Sequence, residues 1–158
     1  MQLVYVVHES YEALEKGSEM RAVFLDISKA FDRVWHRGLI ARLRSVGVEG
    51  NLLNWFISYL SCRKQRVIIE GVHSDWRNIE AGVPQGSNLG PLIQYRMYIN
   101  DLPVTISSRC FLFFDYCFLL EKVQSPSDCA SKLNRDLTSI SDWAERWLLI
   151  IVFFGKNR

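Results

Sequence analysis

The sequence predicts a mixed α/β (α+β) fold in a single domain. Helical and extended hydrophobic patterns alternate along the 158 residues, and turn residues separate them. Hydrophobic residues make up 49% of the chain and charged residues 23%, as in ordinary globular proteins. A chain of this length can bury a substantial core. These values exclude a wholly disordered chain, a collagen-like repeat and a disulfide-dense miniprotein.

The pattern of each segment predicts the elements in order. The first half is expected to begin with a helix over 3–16 that ends at Gly17, followed by a strand over 21–25 that runs into Asp26. A short helix from Ser28 to Val34 and two helices over 38–46 and 51–60 are expected next. Strands 65–70 and 75–79 are then expected to form a hairpin. The second half is expected to contain a turn-rich stretch over 81–91, a helix over 92–102, strands 109–114 and 117–120 around Asp115-Tyr116, an amphipathic helix over 127–147 and a strand over 148–154.

Charge and cysteine content exclude several classes of protein. The formal charge is only +2, so any basic surface must be local. The four cysteines (Cys62, Cys110, Cys117 and Cys129) form no C-x-x-C pair, which favours reduced thiols in an intracellular protein over a zinc ribbon or a redox centre. The sequence shows neither a signal peptide nor a membrane span, so no membrane partner is expected.

Two aspartates follow apolar strands. Asp26 comes after Val23-Phe24-Leu25, and Asp115 comes after the apolar run that begins at Phe111. A carboxylate at such a position is costly unless it is neutralised, and two brought together would repel each other. A divalent cation such as Mg²⁺ or Mn²⁺ would resolve both problems, since it prefers oxygen ligands. Alternatively, each Asp simply begins a turn or caps a helix.

Two further segments are candidates for contacts with nucleic acid. The Gly82–Pro91 loop, which contains Gln85 and Gly86, can bring backbone N–H groups close to a nucleotide or a template strand. The basic residues Arg63, Lys64 and Arg66 could bind phosphates. The alternatives are an ordinary structured turn and a solvated surface run.

Several segments together resemble one family. Residues 24–36 resemble motif A of reverse transcriptases from non-LTR retrotransposons, the jockey-like and related elements. Residues 81–91, continued by 98–102, resemble motif B and the helix after it. Phe113-Phe114-Asp115-Tyr116 stands where the family has Phe-Ala-Asp-Asp, motif C. The 127–147 helix and the strand after it resemble motif D, with Lys156 at the place of its terminal lysine.

The resemblance implies a right-hand polymerase palm with partial fingers, in which a small antiparallel sheet packs on helices. Residues 1–158 would be a reverse transcriptase domain fragment that carries motifs A to D and has no thumb. The implied reaction is RNA-directed DNA synthesis, which uses an RNA template, a DNA primer, deoxynucleoside triphosphates and Mg²⁺ (or Mn²⁺) in a two-metal site. The implied setting is intracellular, nuclear or ribonucleoprotein-associated. An intact element would supply the missing fingers, thumb and endonuclease segments.

The resemblance also assigns roles to residues. Asp26 and Asp115 would be the catalytic metal carboxylates, assisted by the backbone carbonyl of Ile27. Phe31 would be the gate that excludes a 2′-hydroxyl, and Gln85 and Gly86 would line the nucleotide pocket. Lys156 would protonate pyrophosphate, a role carried over only from motif D.

One departure from the family bears directly on activity. Tyr116 replaces the second aspartate of motif C, and a phenol is neutral near pH 7 and a poor ligand for Mg²⁺. Together with the missing ends, this predicts an inactive copy. The alternatives are a non-catalytic nucleic-acid-binding remnant, an unstable product with no function, and a haloacid-dehalogenase-like phosphatase. The phosphatase class needs a second Asp where this chain has Ser28.

Overall fold

The computed structural model describes residues 2–84, 86, 89–92, 97–113 and 115–154. The chain forms two compact units. One, called here the sheet unit, comprises residues 1–28 and 100–158, and the other, called the helical unit, comprises residues 29–99. Among the described residues, no helix is long and apolar enough to span a bilayer.

A four-stranded antiparallel sheet organises the sheet unit. Its order is β6 (Arg109–Phe113), β7 (Tyr116–Val123), β1 (Glu19–Ser28) and β8 (Ile150–Phe154). Strand β1 is central, because it pairs with β7 along most of its length and with β8 over residues 24–28. The small antiparallel sheet with helices confirms the predicted mixed α/β class.

The two faces of this sheet differ. Leu25 and Ile27 of β1 are each 1% exposed, whereas Phe24, on the opposite face, is 56% exposed. This alternation follows from the two-residue period of a strand. On the buried face, helix α5 (Pro126–Arg146) packs against β7 and β8. Its buried side chains are Cys129, Leu133, Asp136, Ile140, Trp143 and Ala144.

Helix α1 (Gln2–Glu15) precedes the sheet and contacts β1. It ends because Gly17 adopts a left-handed conformation, with φ of 64°. The amides of Gly17 and Ser18 then donate to the carbonyls of Leu14 and Ala13, at 2.9 and 2.8 Å. These bonds satisfy carbonyls at the helix end and turn the chain into β1.

The helical unit begins with two helices that pack against each other, α2 (His36–Ser45) and α3 (Gly50–Leu60). A β-hairpin follows, in which β2 (Lys64–Gln65) pairs with β5 (Arg77–Asn78), and β3 (Ile68–Ile69) pairs with β4 (Val72–His73). The hairpin turns at Glu70-Gly71, where both residues have positive φ, as a two-residue hairpin turn requires. Helix α4 (Leu89–Leu92) comes later.

Hydrogen bonds attach the start of the glycine-rich loop to the turn after β1. The amides of Gly82 and Val83 donate to the carbonyls of Val34 and Phe31, at 2.9 and 2.8 Å. Gly82 has a φ of 91°, and a Cβ there would lie 2.8 Å from the Asp32 carbonyl oxygen. Only glycine therefore fits this position.

Most of the predicted elements are confirmed. The helices expected over 3–16, 38–46, 51–60 and 127–147 are present within a few residues, as are the hairpin and the final strand. The strand over 21–25 is also present, as the longer β1, which contains Asp26 within it. One prediction is wrong. The helix from Ser28 to Val34 is a series of turns, because Ser28 still pairs with Ile150 and Lys29 has a φ of 53°.

The helix expected over 92–102 lies partly outside the described residues, which omit 93–96. Its end differs from the prediction. Leu102–Thr105 form a separate 3₁₀ helix, which packs against α5. Pro103 favours this break, because it cannot continue the hydrogen bonding of a preceding helix.

A buried carboxylate connects α5 to the segment before β6. Asp136, which is 4% exposed, accepts hydrogen bonds from the Ser107 amide and hydroxyl (both 2.9 Å) and from the Ser108 amide (2.8 Å). Burial alone would raise the pKa of Asp136, but the hydrogen bonds from Ser107 and Ser108 outweigh it and hold the pKa below its usual value.

We expect Asp136→Asn to lower the free energy of unfolding by about 1–3 kcal/mol, because an amide nitrogen would face a backbone donor. The lowered pKa of Asp136 means that its stabilisation is complete above the unfolded pKa and is lost as pH falls through the folded pKa. Urea unfolding between neutral and acidic pH measures both effects. Asp142→Asn, at an exposed position of the same helix, is the matched control. An equal effect of the two variants would contradict the assignment.

Candidate active site and nucleic-acid surface

Asp26 lies on the solvent-facing side of the central strand. It pairs with Tyr116 of β7 and with Val152 of β8. Directly opposed residues of an antiparallel pair point to the same face. The side chain of Asp26 is therefore between an exposed phenol and an aliphatic side chain, and it is half-buried.

Asp115 lies in the turn between β6 and β7. The amide of Ile27 donates to the carbonyl of Asp115 at 2.9 Å, which holds this turn against the end of β1. The structure thus brings the two predicted carboxylates together. Burial raises the pKa of Asp26 above its usual value, and the charge of nearby Asp115 raises it further. Both effects disfavour the ionised form of Asp26.

Aromatic side chains share the sheet face on which Asp26 lies. The rings of Phe24 and Phe118 stack at 5.7 Å between centroids, and those of Phe111 and Phe118 at 4.7 Å. Phe113 and Tyr116 are paired across β6 and β7 and are 62% and 56% exposed. This face is therefore aromatic up to Tyr116, which is directly opposite Asp26.

The chemistry of the two side chains suits a divalent cation. Carboxylate oxygens are the ligands that Mg²⁺ and Mn²⁺ prefer, and Mg²⁺ is commonly held by one or two carboxylates together with water. The repulsion that raises the pKa of Asp26 would be relieved by such a charge. Within the described part of the chain, no group of three or more His, Cys, Asp or Glu side chains is placed to hold a metal ion. Tyr116 occupies the position where a third carboxylate would stand by resemblance.

The nucleotide-binding residues predicted by resemblance lie in the helical unit. Phe31 is half-buried in the turn after β1, where its carbonyl accepts from Val83. Gly86 is exposed and has a φ of 74°, with open space where a Cβ would stand. Gln85 and Lys156 lie outside the described residues.

The helical unit carries the excess of positive charge. Residues 33–69 contain seven Lys and Arg side chains and a single acidic residue, Glu49, which gives this segment a formal charge of +6. The whole chain carries only +2, so the remainder is net acidic. A local basic segment of this kind favours association with a polyanion. It includes the predicted residues Arg63, Lys64 and Arg66.

Aromatic rings accompany these cations in two stacks. In the first, Trp55 stacks on Tyr59 at 5.3 Å and 15° between planes, and the Arg63 guanidinium lies 5.2 Å from the Tyr59 ring. In the second, the Arg66 guanidinium lies 4.7 Å from the Trp76 ring. Trp55 and Trp76 are 45% and 57% exposed, so each leaves ring surface open to solvent. Exposed rings beside cations are typical of surfaces that bind single-stranded nucleic acid.

Arg63 also faces a cleft of about 660 Å³ within the helical unit. Its lining also includes the cation of Lys29 and the acidic residues Asp32 and Glu80. Gly82 and Pro84 of the glycine-rich loop complete this side of the cleft. The structure therefore brings Arg63 and the glycine-rich loop to one cavity. In the sequence they are separate features. Lys64 and Arg66 lie on the exposed hairpin instead.

Sequence reasoning missed Lys29, Trp55, Tyr59 and Trp76 as candidate contacts. The first stack had a partial signal, because Trp55 and Tyr59 are four residues apart, which places their side chains on one face of α3. Arg63 lies beyond the end of that helix. The contact between Arg66 and Trp76 depends on the hairpin fold and has no comparable local signal.

Comparisons with known proteins agree with the motifs. Residues 5–152 match the family model for reverse transcriptase (RNA-dependent DNA polymerase). The chain is 35% identical to the RNA-directed DNA polymerase from mobile element jockey of Drosophila funebris, over 92% of this chain and 17% of that protein. It is 34% identical to the probable RNA-directed DNA polymerase from transposon X-element of Drosophila melanogaster, over 92% of this chain and 16% of that protein.

A third relative, the probable RNA-directed DNA polymerase from transposon BS of Drosophila melanogaster, is 34% identical over 87% of this chain and 16% of that protein. The chain thus spans about one sixth of the length of these curated relatives. The family match extends over nearly the whole sequence and includes both aspartates, the glycine-rich loop and the basic segment. The chain therefore belongs to the reverse transcriptase (RNA-dependent DNA polymerase) family, and its relatives are non-LTR retrotransposon polymerases.

Proposed function

We propose that this chain is the nucleotidyl-transfer core of an RNA-directed DNA polymerase, in a copy that Tyr116 has silenced. The sheet unit would be the palm and the helical unit part of the fingers, within a longer polymerase. The observation that carries the proposal is the approach of Asp26 and Asp115 at the solvent-facing side of the sheet. The substrates would be an RNA template, a DNA primer and deoxynucleoside triphosphates.

In this proposal Asp26 and Asp115 hold Mg²⁺ or Mn²⁺. Such ions, when bound, activate a hydroxyl nucleophile and neutralise charge on the leaving pyrophosphate. The two carboxylates supply oxygen ligands at a place where burial and the charge of Asp115 already disfavour the bare negative charge of Asp26. The backbone carbonyl of Ile27 would be a further ligand, since the turn at Asp115 is attached to this residue.

Other residues of the chain would position the substrates. Phe31 would exclude a 2′-hydroxyl from the incoming sugar, and the glycine-rich loop with Gln85 and Gly86 would line the nucleotide pocket. The hydrogen bonds from Gly82 and Val83 hold this loop to the turn that carries Phe31, which supports a shared role. Lys156 would assist departure of pyrophosphate. A nuclear, ribonucleoprotein-associated setting follows from this role.

Tyr116 accounts for the proposed loss of activity. It stands opposite Asp26 with its phenol 56% exposed, at the position of the second motif C aspartate. A phenol brings no negative charge near pH 7 and a poor oxygen ligand. It also adds a bulky ring beside the carboxylate pair. The site therefore lacks one carboxylate and has a ring near where a metal ion would bind.

A non-catalytic nucleic-acid-binding protein is the second candidate function. The observations that favour it are the +6 segment and the two stacks, Trp55–Tyr59–Arg63 and Arg66–Trp76. None of these residues depends on the carboxylate pair. Binding of single-stranded RNA or DNA would therefore persist in a copy that has lost polymerase chemistry.

Tyr116→Asp tests the polymerase proposal. We expect the unaltered chain to extend an RNA-templated DNA primer no faster than a reaction without protein, in Mg²⁺ or Mn²⁺. Tyr116→Asp is expected to tighten Mn²⁺ binding, because it restores a third carboxylate. Adding Asp26→Asn to that variant is expected to abolish this gain.

Three results would contradict this account. They are extension by the unaltered chain above the reaction without protein, a Tyr116→Asp variant that binds Mn²⁺ no more tightly than the unaltered chain, and a gain in Mn²⁺ binding that survives Asp26→Asn. Tyr116→Phe is the matched control, since it keeps the ring, removes the hydroxyl and is expected to change nothing.

Fluorescence anisotropy with labelled single-stranded RNA tests the second candidate. We expect Trp76→Ala to weaken binding by about fivefold or more, because base–aromatic stacking contributes about 1–3 kcal/mol per base. Arg66→Gln is expected to weaken binding. It should also make the plot of log K against log salt concentration less steep by the amount that corresponds to about one lost phosphate contact. Arg135→Gln, at an exposed position of α5, removes the same charge from the sheet unit and should leave binding unchanged. Equal losses of RNA affinity for Arg66→Gln and Arg135→Gln would contradict a specific surface, because they would show only a general attraction between RNA and positive charge.

A further inference from the structure

Two cysteines of the sheet lie side by side. Cys110 on β6 is opposite Leu119, and Cys117 on β7 is opposite Leu112. Both therefore point to the same face and are diagonal neighbours on adjacent strands. Their sulfur atoms are 3.4 Å apart, and both thiols are free. The other two cysteines lie elsewhere, Cys62 at an exposed position and Cys129 buried on α5.

We propose that Cys110 and Cys117 form a reversible disulfide by exchange with a small-molecule disulfide of the glutathione class. An S–S bond is about 2.05 Å long, so each sulfur has to move by about 0.7 Å from its present position. Rotation of the two short side chains provides movements of this size. The sheet register already holds the two side chains on one face of adjacent strands.

Exposure sets the order of the exchange. Cys110 is half-buried, whereas Cys117 is only 2% exposed, so a small disulfide reaches Cys110 first. The Cys110 sulfur attacks one glutathione sulfur and forms a mixed disulfide, and the other glutathione leaves as a thiol. The Cys117 sulfur then attacks the Cys110 sulfur and expels the second glutathione. Two protein thiols are oxidised, one glutathione disulfide is reduced to two thiols, and the protons pass to the departing sulfurs.

The proposed disulfide would stabilise the turn between β6 and β7. It would join β6 to β7 on either side of the turn that carries Asp115, with residues 111–116 inside the closed loop. A covalent link restricts the unfolded chain and opposes separation of the two strands. The oxidised chain is therefore expected to melt at a higher temperature than the reduced chain, and a dithiol reductant is expected to reverse the increase.

The test uses the full chain with Cys62→Ser, which removes the exposed thiol that could cross-link two molecules. The chain is equilibrated with mixtures of reduced and oxidised glutathione, alkylated, digested and mapped by mass spectrometry. We expect a peptide cross-linked through Cys110 and Cys117, with an equilibrium constant at least about tenfold larger in the folded chain than in concentrated urea. Cys129→Ala is the matched control and should retain the cross-link.

Either of two outcomes would overturn the proposal. In the first, the folded chain keeps both thiols alkylatable at glutathione ratios that oxidise the unfolded chain. In the second, Cys110 stops at the mixed disulfide with glutathione, or pairs with Cys129 instead. Cys110→Ser is expected to abolish the cross-link and the reversible rise in melting temperature. If Cys110→Ser does not fold, Cys110→Ala provides the same measurement. If neither variant folds, the difference in cross-linking between the folded and the unfolded parent chain still tests the proposal.

Discussion

The pairing of β1 with both of its neighbours is the constraint on which the rest of the candidate site depends. Because side chains alternate along a strand, the register that buries Leu25 and Ile27 necessarily places Asp26 on the opposite face. A slip of one residue would bury Asp26 and expose its apolar neighbours. The same pairing brings the turn at Asp115 to the end of β1, where the Ile27 amide holds it. The same strand pairing thus determines both the packing of the core and the approach of the two carboxylates.

The position of Asp26 close to Asp115 disfavours the ionised form of Asp26, and a bound cation would explain why such a position is useful. Burial raises the pKa of Asp26, and the negative charge of Asp115 raises it further. A site that only stabilised the fold would be better served by an apolar or amide side chain. A site that receives a divalent cation gains from the same features, since the cation replaces both the lost water and the missing counter-charge. In the proposed site, Tyr116 would leave the pair in place and remove one of the charges that would complete it.

Local patterns predicted most of the elements because they are determined locally. The α5 helix follows from its apolar period, the α2–α3 boundary from Gly47 and Gly50, and the hairpin turn from Gly71. The expected helix after Ser28 failed because pairing with Ile150, over a hundred residues away, keeps Ser28 extended. For the same reason β1 extends beyond its apolar run, with Arg21 opposite Glu121. The proximity of Asp26 and Asp115 was expected from the family resemblance, whereas the Arg66–Trp76 contact had no sequence signal.

The most direct test of the carboxylate pair is an NMR titration of the aspartate carboxyl carbons, with Asp26 assigned by comparison with Asp26→Asn. In metal-free buffer the account predicts that Asp26 titrates above the usual value of 3.8, since the shift is upward. Its pKa should fall in Asp115→Asn, which removes the neighbouring charge, and should fall again in the unaltered chain when Mg²⁺ or Mn²⁺ is added. A pKa of Asp26 that is ordinary in metal-free buffer and insensitive to both Asp115→Asn and the divalent ion would contradict the account.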